Sequence, residues 1–208
     1  MISVKKRNLI IIVLLLSLIT IFLGVSTAVF FYLGRGTTNN VIETGRIIFS
    51  YSESEFGVDG DNIDITDALP IPDASGKIMA GTHEYFDFNV SASTTSTDIA
   101  YEVVLKKQDG STMPEDIVKI YLTEFNGSTE LETPITAGTV TPTFADLTES
   151  DNSLVEGKTV YHGIVKAGEV AYGKKFRLRM WISDEADASA LDNMKFTVKV
   201  NVAAVGNN

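Results

Sequence analysis

The chain has 208 residues, of which 44% are hydrophobic, with a formal net charge of −10 and no cysteine. An acidic surface repels phosphate backbones, which argues against nucleic acid as a partner. The lack of cysteine removes disulfides, thiol catalysis and thiolate metal sites, so the fold must be held by its core alone, which a chain of this size can supply.

Residues 9–33 are nearly all apolar and uncharged. A helix needs about 20 such residues to cross a bilayer. Lys5, Lys6 and Arg7 precede the run, and the positive-inside bias would keep them in the cytoplasm. Residues 1–34 therefore read as a transmembrane helix acting as a single-pass anchor, or as a signal peptide. Either way the membrane is a partner through this segment, and the rest of the chain is exported, extracellular or at the cell surface. The first 35 residues carry +4, which leaves −14 for the remainder; that charge repels anionic lipid and disfavours lying flat on a membrane. Residues 35–44 are small and polar and read as a tether, and 45–208 as the exported domain.

Period-2 alternation, the mark of strands with one buried face, then recurs to the end of the chain. GRIIFSYS at 45–52 is the first such segment. EYFDFNVSA at 84–92 sets Phe86, Phe88 and Val90 against Asp87 and Asn89. DIAYEVVLKK at 98–107 sets Ile99, Tyr101 and Val103 on one face, with Val104 breaking the pattern. IVKIYLTEF at 117–125 alternates Val118, Ile120 and Leu122 with Lys119, Tyr121 and Thr123. TVYHGIVKA at 159–167 is apolar on both sides. KFRLRMWIS at 175–183 sets Phe176, Leu178, Met180 and Ile182 against Arg177, Arg179 and Trp181, and KFTVKVNVAA at 195–204 alternates likewise. Turn-rich separators divide these segments. Only DEADASALDN at 184–193 reads as helical, as a short turn between the last two strands, with acids suited to a helix start. The Thr-rich stretch 129–153 reads as a long surface loop with a short strand near 139–144. Seven or more short strands predict an all-β fold, a two-sheet antiparallel β-sandwich.

Catalytic motifs are sparse. His83 is followed by Glu84, but no second histidine follows at helical spacing, and no GxSxG elbow occurs. A hydrolase would require His162 and an acid to converge in a cleft. Asp59, Asp61, Asp64 and Asp67 cluster in VDGDNIDITD; oxygen ligands at alternate positions suit calcium, although Gly60 and Pro70 break the EF-hand pattern, and a solvated turn is the plainer reading. Calcium with Asp59, Asp61 and Asp64 is the one cofactor worth testing. Trp181, on the more polar face of its strand, is the candidate for stacking on a sugar or contacting another protein, unless a loop packs over it. NVS at 89 and NGS at 126 match the glycosylation acceptor pattern.

GVSTAVFFYLGRGTTNNVIETGRIIFSYSE, from Gly24 to Glu53, resembles the start of the TasA/camelysin family of bacterial surface and biofilm-matrix proteins. Ser26, Thr27, Ala28 and Phe30 match its small-residue signal end, and Asn40, Ile42, Thr44, Gly45, Ile47 and Phe49 its first strand. The resemblance implies export, a jelly-roll-like sandwich and assembly into fibres in which the N-terminal segment of one subunit becomes a strand of the next. A cut between Ala28 and Val29 leaves small residues where a signal peptidase reads them. It would free Val29, Phe30, Phe31, Tyr32 and Leu33 to add to an open sheet edge.

The reading that results is a non-enzymatic exported structural protein that self-associates, possessing the alternatives of a membrane-anchored binding module for a glycan or protein and of a pilin-like filament subunit.

Overall fold

The computed structural model of the chain describes residues 31–35, 40–44, 47–53, 63–66, 68–81, 84–153 and 155–207. In chain order the strands are β1 Phe31–Arg35, β2 Asn40–Thr44, β3 Ile47–Glu53, β4 Ile63–Thr66, β5 Phe86–Thr94, β6 Asp98–Lys107, β7 Val118–Asn126, β8 Thr129–Glu132, β9 Lys158–Val165, β10 Tyr172–Ile182 and β11 Lys195–Asn207. Each of the seven alternating segments is among them. All strand pairs are antiparallel. In one sheet β11 pairs with β6, β9 lies beyond β6, and β1 and β4 both pair with β11; the other sheet runs β2-β3-β5-β10-β7-β8.

The two sheets bury their alternate residues against each other, as a pair of one-sided sheets must. Phe88, Val90, Ile120, Leu122 and Phe176 of one sheet and Ile99, Val103, Leu105, Phe196 and Val198 of the other are fully buried. Tyr161 of β9 meets Phe176 of β10 edge-on, with ring centroids 4.8 Å apart, and the hydroxyls of Tyr101 on β6 and Tyr172 on β10 lie 2.6 Å apart. Each large apolar side chain so buried stabilises the fold by roughly 1.5–3 kcal/mol, the only large favourable term open to a chain without disulfides.

Departures from alternation have local causes. Val103 stands opposite Tyr161 and Val104 opposite Thr159, so β9 carries one extra residue, Val160. This bulge lets Thr159, Val160 and Tyr161 all be buried, which is why that segment reads as apolar on both sides. Val104 projects to the outer side of its sheet and is buried with Val155 and Ala203.

Three stretches outside the alternating segments complete the fold. Residues 184–193 form the short turn expected between the last two strands, a 3-10 turn at Ala188–Ala190 with Asp187 accepting from the Ser189 amide. The Thr-rich stretch runs mostly exposed past β8 and bridges to β7 at Thr143↔Lys119, where a short strand was expected, but Thr133, Thr136, Thr141 and Thr143 are buried. β8 pairs with only the end of β7, and past it the hydroxyls act as a strand would. Leu122 N–H donates to Thr136 Oγ1 at 3.0 Å, and Thr133 Oγ1 donates to Leu122 C=O at 2.9 Å. Finally, β1 and β2 fall within residues 31–44, and the compact unit begins at Phe31. Val41 and Ile42 favour a pleated surface, and β2 pairs with β3 from Thr44↔Ile47 to Asn40↔Tyr51.

Gly163 of β9 pairs with Tyr101, and a Cβ there would lie 2.2 Å from the Tyr101 ring. Gly163→Ala is expected to lower stability by about 2 kcal/mol through overpacking. Gly173→Ala, where a Cβ meets nothing within 4 Å, is expected to leave the urea midpoint almost unmoved. Equal effects of the two substitutions would contradict the packing described.

Candidate functional site

The edge of β11 is where the two ends of the described chain meet. On one side β11 pairs with β6 from Val198↔Lys107 to Asn207↔Asp98. On the other, β4 pairs from Lys195↔Thr66 to Val198↔Ile63, and β1 from Arg35↔Asn201 to Phe31↔Val205. Two short strands thus lie end to end along one edge of a long one. Phe31, Tyr32 and Leu33, expected as assembly residues, stand in β1 opposite Val205, Ala204 and Ala203. Val29, Phe30 and the cleavage candidate Ala28 lie outside the described residues, as does the apolar run before them. Among the described residues no helix is long and apolar enough to cross a membrane.

Trp181 requires correction as a binding candidate. Alternation rightly assigns it to the outer face of β10, but that face is roofed. The connection from β4 to β5 carries a short helix, α1 Asp73–Gly76, tied down by Ile71 N–H donating to Ile182 C=O at 3.0 Å. Gly76 lies directly on the indole, where a Cβ would be 2.2 Å from a ring atom, and Tyr121 meets the indole edge-on. Trp181 is 2% exposed, too little to stack on any ligand. Its Nε1 finds no hydrogen-bond partner.

The same roofed face carries a charge lattice that sequence reasoning missed. Arg177 donates from Nε to Asp87 Oδ1 at 2.6 Å and from Nη2 to Asp87 Oδ2 at 2.9 Å. Its guanidinium lies 3.6 Å from the Tyr85 ring centroid. Arg179 donates from Nη1 to Glu130 Oε2 at 2.6 Å and from Nε to the Met79 carbonyl at 2.7 Å. Lys175 also reaches Asp87, at 2.9 Å. Burial alone would raise the Asp87 pKa, but the hydrogen bonds and charges of Arg177 and Lys175 together hold it below the usual carboxylate value. The Arg179 hydrogen bond holds Glu130 low against partial burial, helped by Thr123 and by the charges of both arginines. The lattice fastens the β7–β8 hairpin, Met79 and Tyr85 to β10. The Arg-x-Arg spacing on one strand face was its only trace in the sequence.

The remaining candidates scatter. Asp59, Asp61, Asp67 and His83 lie outside the described residues. Asp64 on β4 pairs with Lys195 at 3.1 Å, its Oδ1 is buried without a partner, and it lines a cleft of about 370 Å³ with Glu84, Tyr85 and Met180. Among the described residues no three carboxylate or imidazole groups gather as a metal site would need. His162 lies on β9 directly opposite Glu102, with Nδ1 to Oε1 at 3.9 Å. Ser150 Oγ donates to the same carboxylate at 2.8 Å. A histidine and an acid do converge here, but Glu102 stands between Ser150 and His162, whereas a nucleophile relay needs the histidine in the middle.

Asp87 and Glu130 have folded pKa values below their unfolded ones, near 3.9 and 4.3, so the stability they contribute is fully present above those values and is lost as pH falls through the lowered ones. Asp87→Asn is expected to cost about 1.5 kcal/mol at pH 7, because it replaces a bidentate carboxylate on Arg177 and leaves only Glu130 Oε1, at 3.2 Å, to pair with it, and to flatten the loss of stability below about pH 4. Urea melts between pH 2.5 and 7 read both effects, and an unchanged profile in the variant would contradict the assignment.

No family model matches the chain, and no curated protein matches it. Among solved structures it is similar to several of infectious bursal disease virus. The VP2 subviral particle matches at 15% identity over 86% of this chain and 33% of that one, with a TM-score of 0.28. The Gx strain structure matches at 13% over 86% and 32%, with a TM-score of 0.26, and the Gt strain structure at 10% over 86% and 32%, with 0.27. This chain spans about a third of the length of those chains, and overlaps this loose carry no functional weight.

Proposed function

We propose that this is a non-enzymatic, exported cell-surface structural protein, a jelly-roll sandwich whose subunits assemble into fibres of the biofilm-matrix kind by exchanging the N-terminal strand. The observation that carries the reading is the position of β1. It pairs with β11 through five residues, and no covalent link holds it, since the chain has no cysteine. β4 occupies the rest of the same edge, so the acceptor stays part of a paired sheet when β1 leaves. A neighbour's β1 can then make the same register, which makes strand exchange a low-cost route to association. The resemblance of residues 24–53 to the TasA/camelysin family supports the same reading. So does the strand order β4-β11-β6-β9 facing β5-β10-β7-β8, in which every connection from β4 to β11 except β7–β8 crosses between sheets, as in a jelly roll. A cut after Ala28 would release the strand; an uncut chain would instead display the sandwich from a membrane anchor.

Chains beginning at Val29 and at Asn40 separate these outcomes. The first is expected to form fibres visible by electron microscopy. The second is expected to form none, and to take up a VFFYLGRG peptide in stoichiometric amount. Fibres from both chains, or from neither, would contradict strand exchange.

A further inference from the structure

The two glycosylation acceptor sequences, Asn89-Val90-Ser91 and Asn126-Gly127-Ser128, lie in opposite surroundings. Asn89 is in the middle of β5, a strand paired on both sides, between Ser52 of β3 and Lys175 of β10, and it is half-buried. Asn126 ends β7 and pairs with Thr129, the first residue of β8, so Gly127 and Ser128 alone form the hairpin turn. All four residues from Asn126 to Thr129 are exposed. Gly127 has φ +62°, the left-handed region that glycine enters without cost, and nothing stands within 4 Å of where its Cβ would be. The asparagine amide and the serine hydroxyl are thus presented at a protruding tip with open space around them, which is the context the motif requires.

We propose that Asn126 is an N-glycosylation site and that Asn89 is not. The inference rests on the export read above, because the donor is a lipid-pyrophosphate-linked oligosaccharide met on the outer side of the membrane. In the transfer, Asn126 Nδ2 forms a bond to the anomeric carbon as the bond from that carbon to the pyrophosphate oxygen breaks. The lipid pyrophosphate leaves, and the amide proton passes to a base of the transferase. The glycan has a consequence for assembly. β8 is an edge strand of its sheet, Leu131 on it is 46% exposed, and an open edge is a template for pairing with another chain. A hydrated glycan beside the start of β8 hinders that pairing.

Intact mass and peptide mapping of the protein recovered from its native cells test the proposal. Glycan mass is expected on the peptide carrying Asn126 and not on the one carrying Asn89. It is expected to be lost completely in both Asn126→Gln and Ser128→Ala, two changes at an exposed tip. An unmodified Asn126, or a glycan on Asn89 in its place, overturns the proposal wherever the chain is found. Glycan on Asn126 of a chain that never forms fibres leaves this site standing and overturns strand exchange; fibres of a chain unmodified at Asn126 do the reverse.

Discussion

Backbone hydrogen bonds along β11 hold the two ends of the described chain together. The last strand of the sandwich pairs with β6 on one side and with β4 and β1 on the other. The first described strand and the last therefore share one seam, and with no cysteine in the chain that seam is non-covalent. A seam with β6 behind it and two short strands in front is firm as a whole and separable in part. β6 and β11 pair over ten residues, while β1 contributes five. What keeps the acceptor in place is also what makes β1 the replaceable piece.

The outer face of the second sheet works in the opposite sense. Here the connection from β4 to β5 and the Thr-rich segment after β8 are fastened down, and the fastening is polar. Arg177 and Arg179 each satisfy a carboxylate while covering aromatic and backbone groups. Thr133 and Thr136 supply the hydrogen bonds that a further strand would have given β7. The roof takes Trp181 out of reach of solvent.

Much of this was legible in the sequence, because strand alternation is a local property. Phe86, Phe88 and Val90 had to face one way whatever lay opposite, and they face the core. What covers the other face is a long-range property. Trp181, Arg177 and Arg179 were correctly placed on the outer face of their strand, yet nothing in KFRLRMWIS tells that residues 71–80 lie over it, and so an indole that looked available is buried. Likewise the threonines of 129–153 look like solvent-facing residues until the unpaired groups of β7 are set beside them. β1 stood open between two readings for a different reason. FFYL is as suited to a membrane helix as to a strand, and only a partner decides between them. The joining of Asn126 and Thr129 by two residues follows the ordinary preference for glycine in tight hairpins, a signal present in NGS but shared with many loops.

The central claim, that β1 passes between subunits along β11, can be tested by placing cysteines at Leu33 and Ala203, which stand opposite each other in the seam, in a chain otherwise free of them. The Leu33→Cys, Ala203→Cys protein, started at Val29, is oxidised before and after fibre formation and run on a denaturing gel without reductant. The account expects a monomer with an internal disulfide before assembly and a ladder of covalently joined subunits after it. Fibres that dissolve wholly to internally bridged monomers would show that β1 never leaves its own chain, and strand exchange would be wrong.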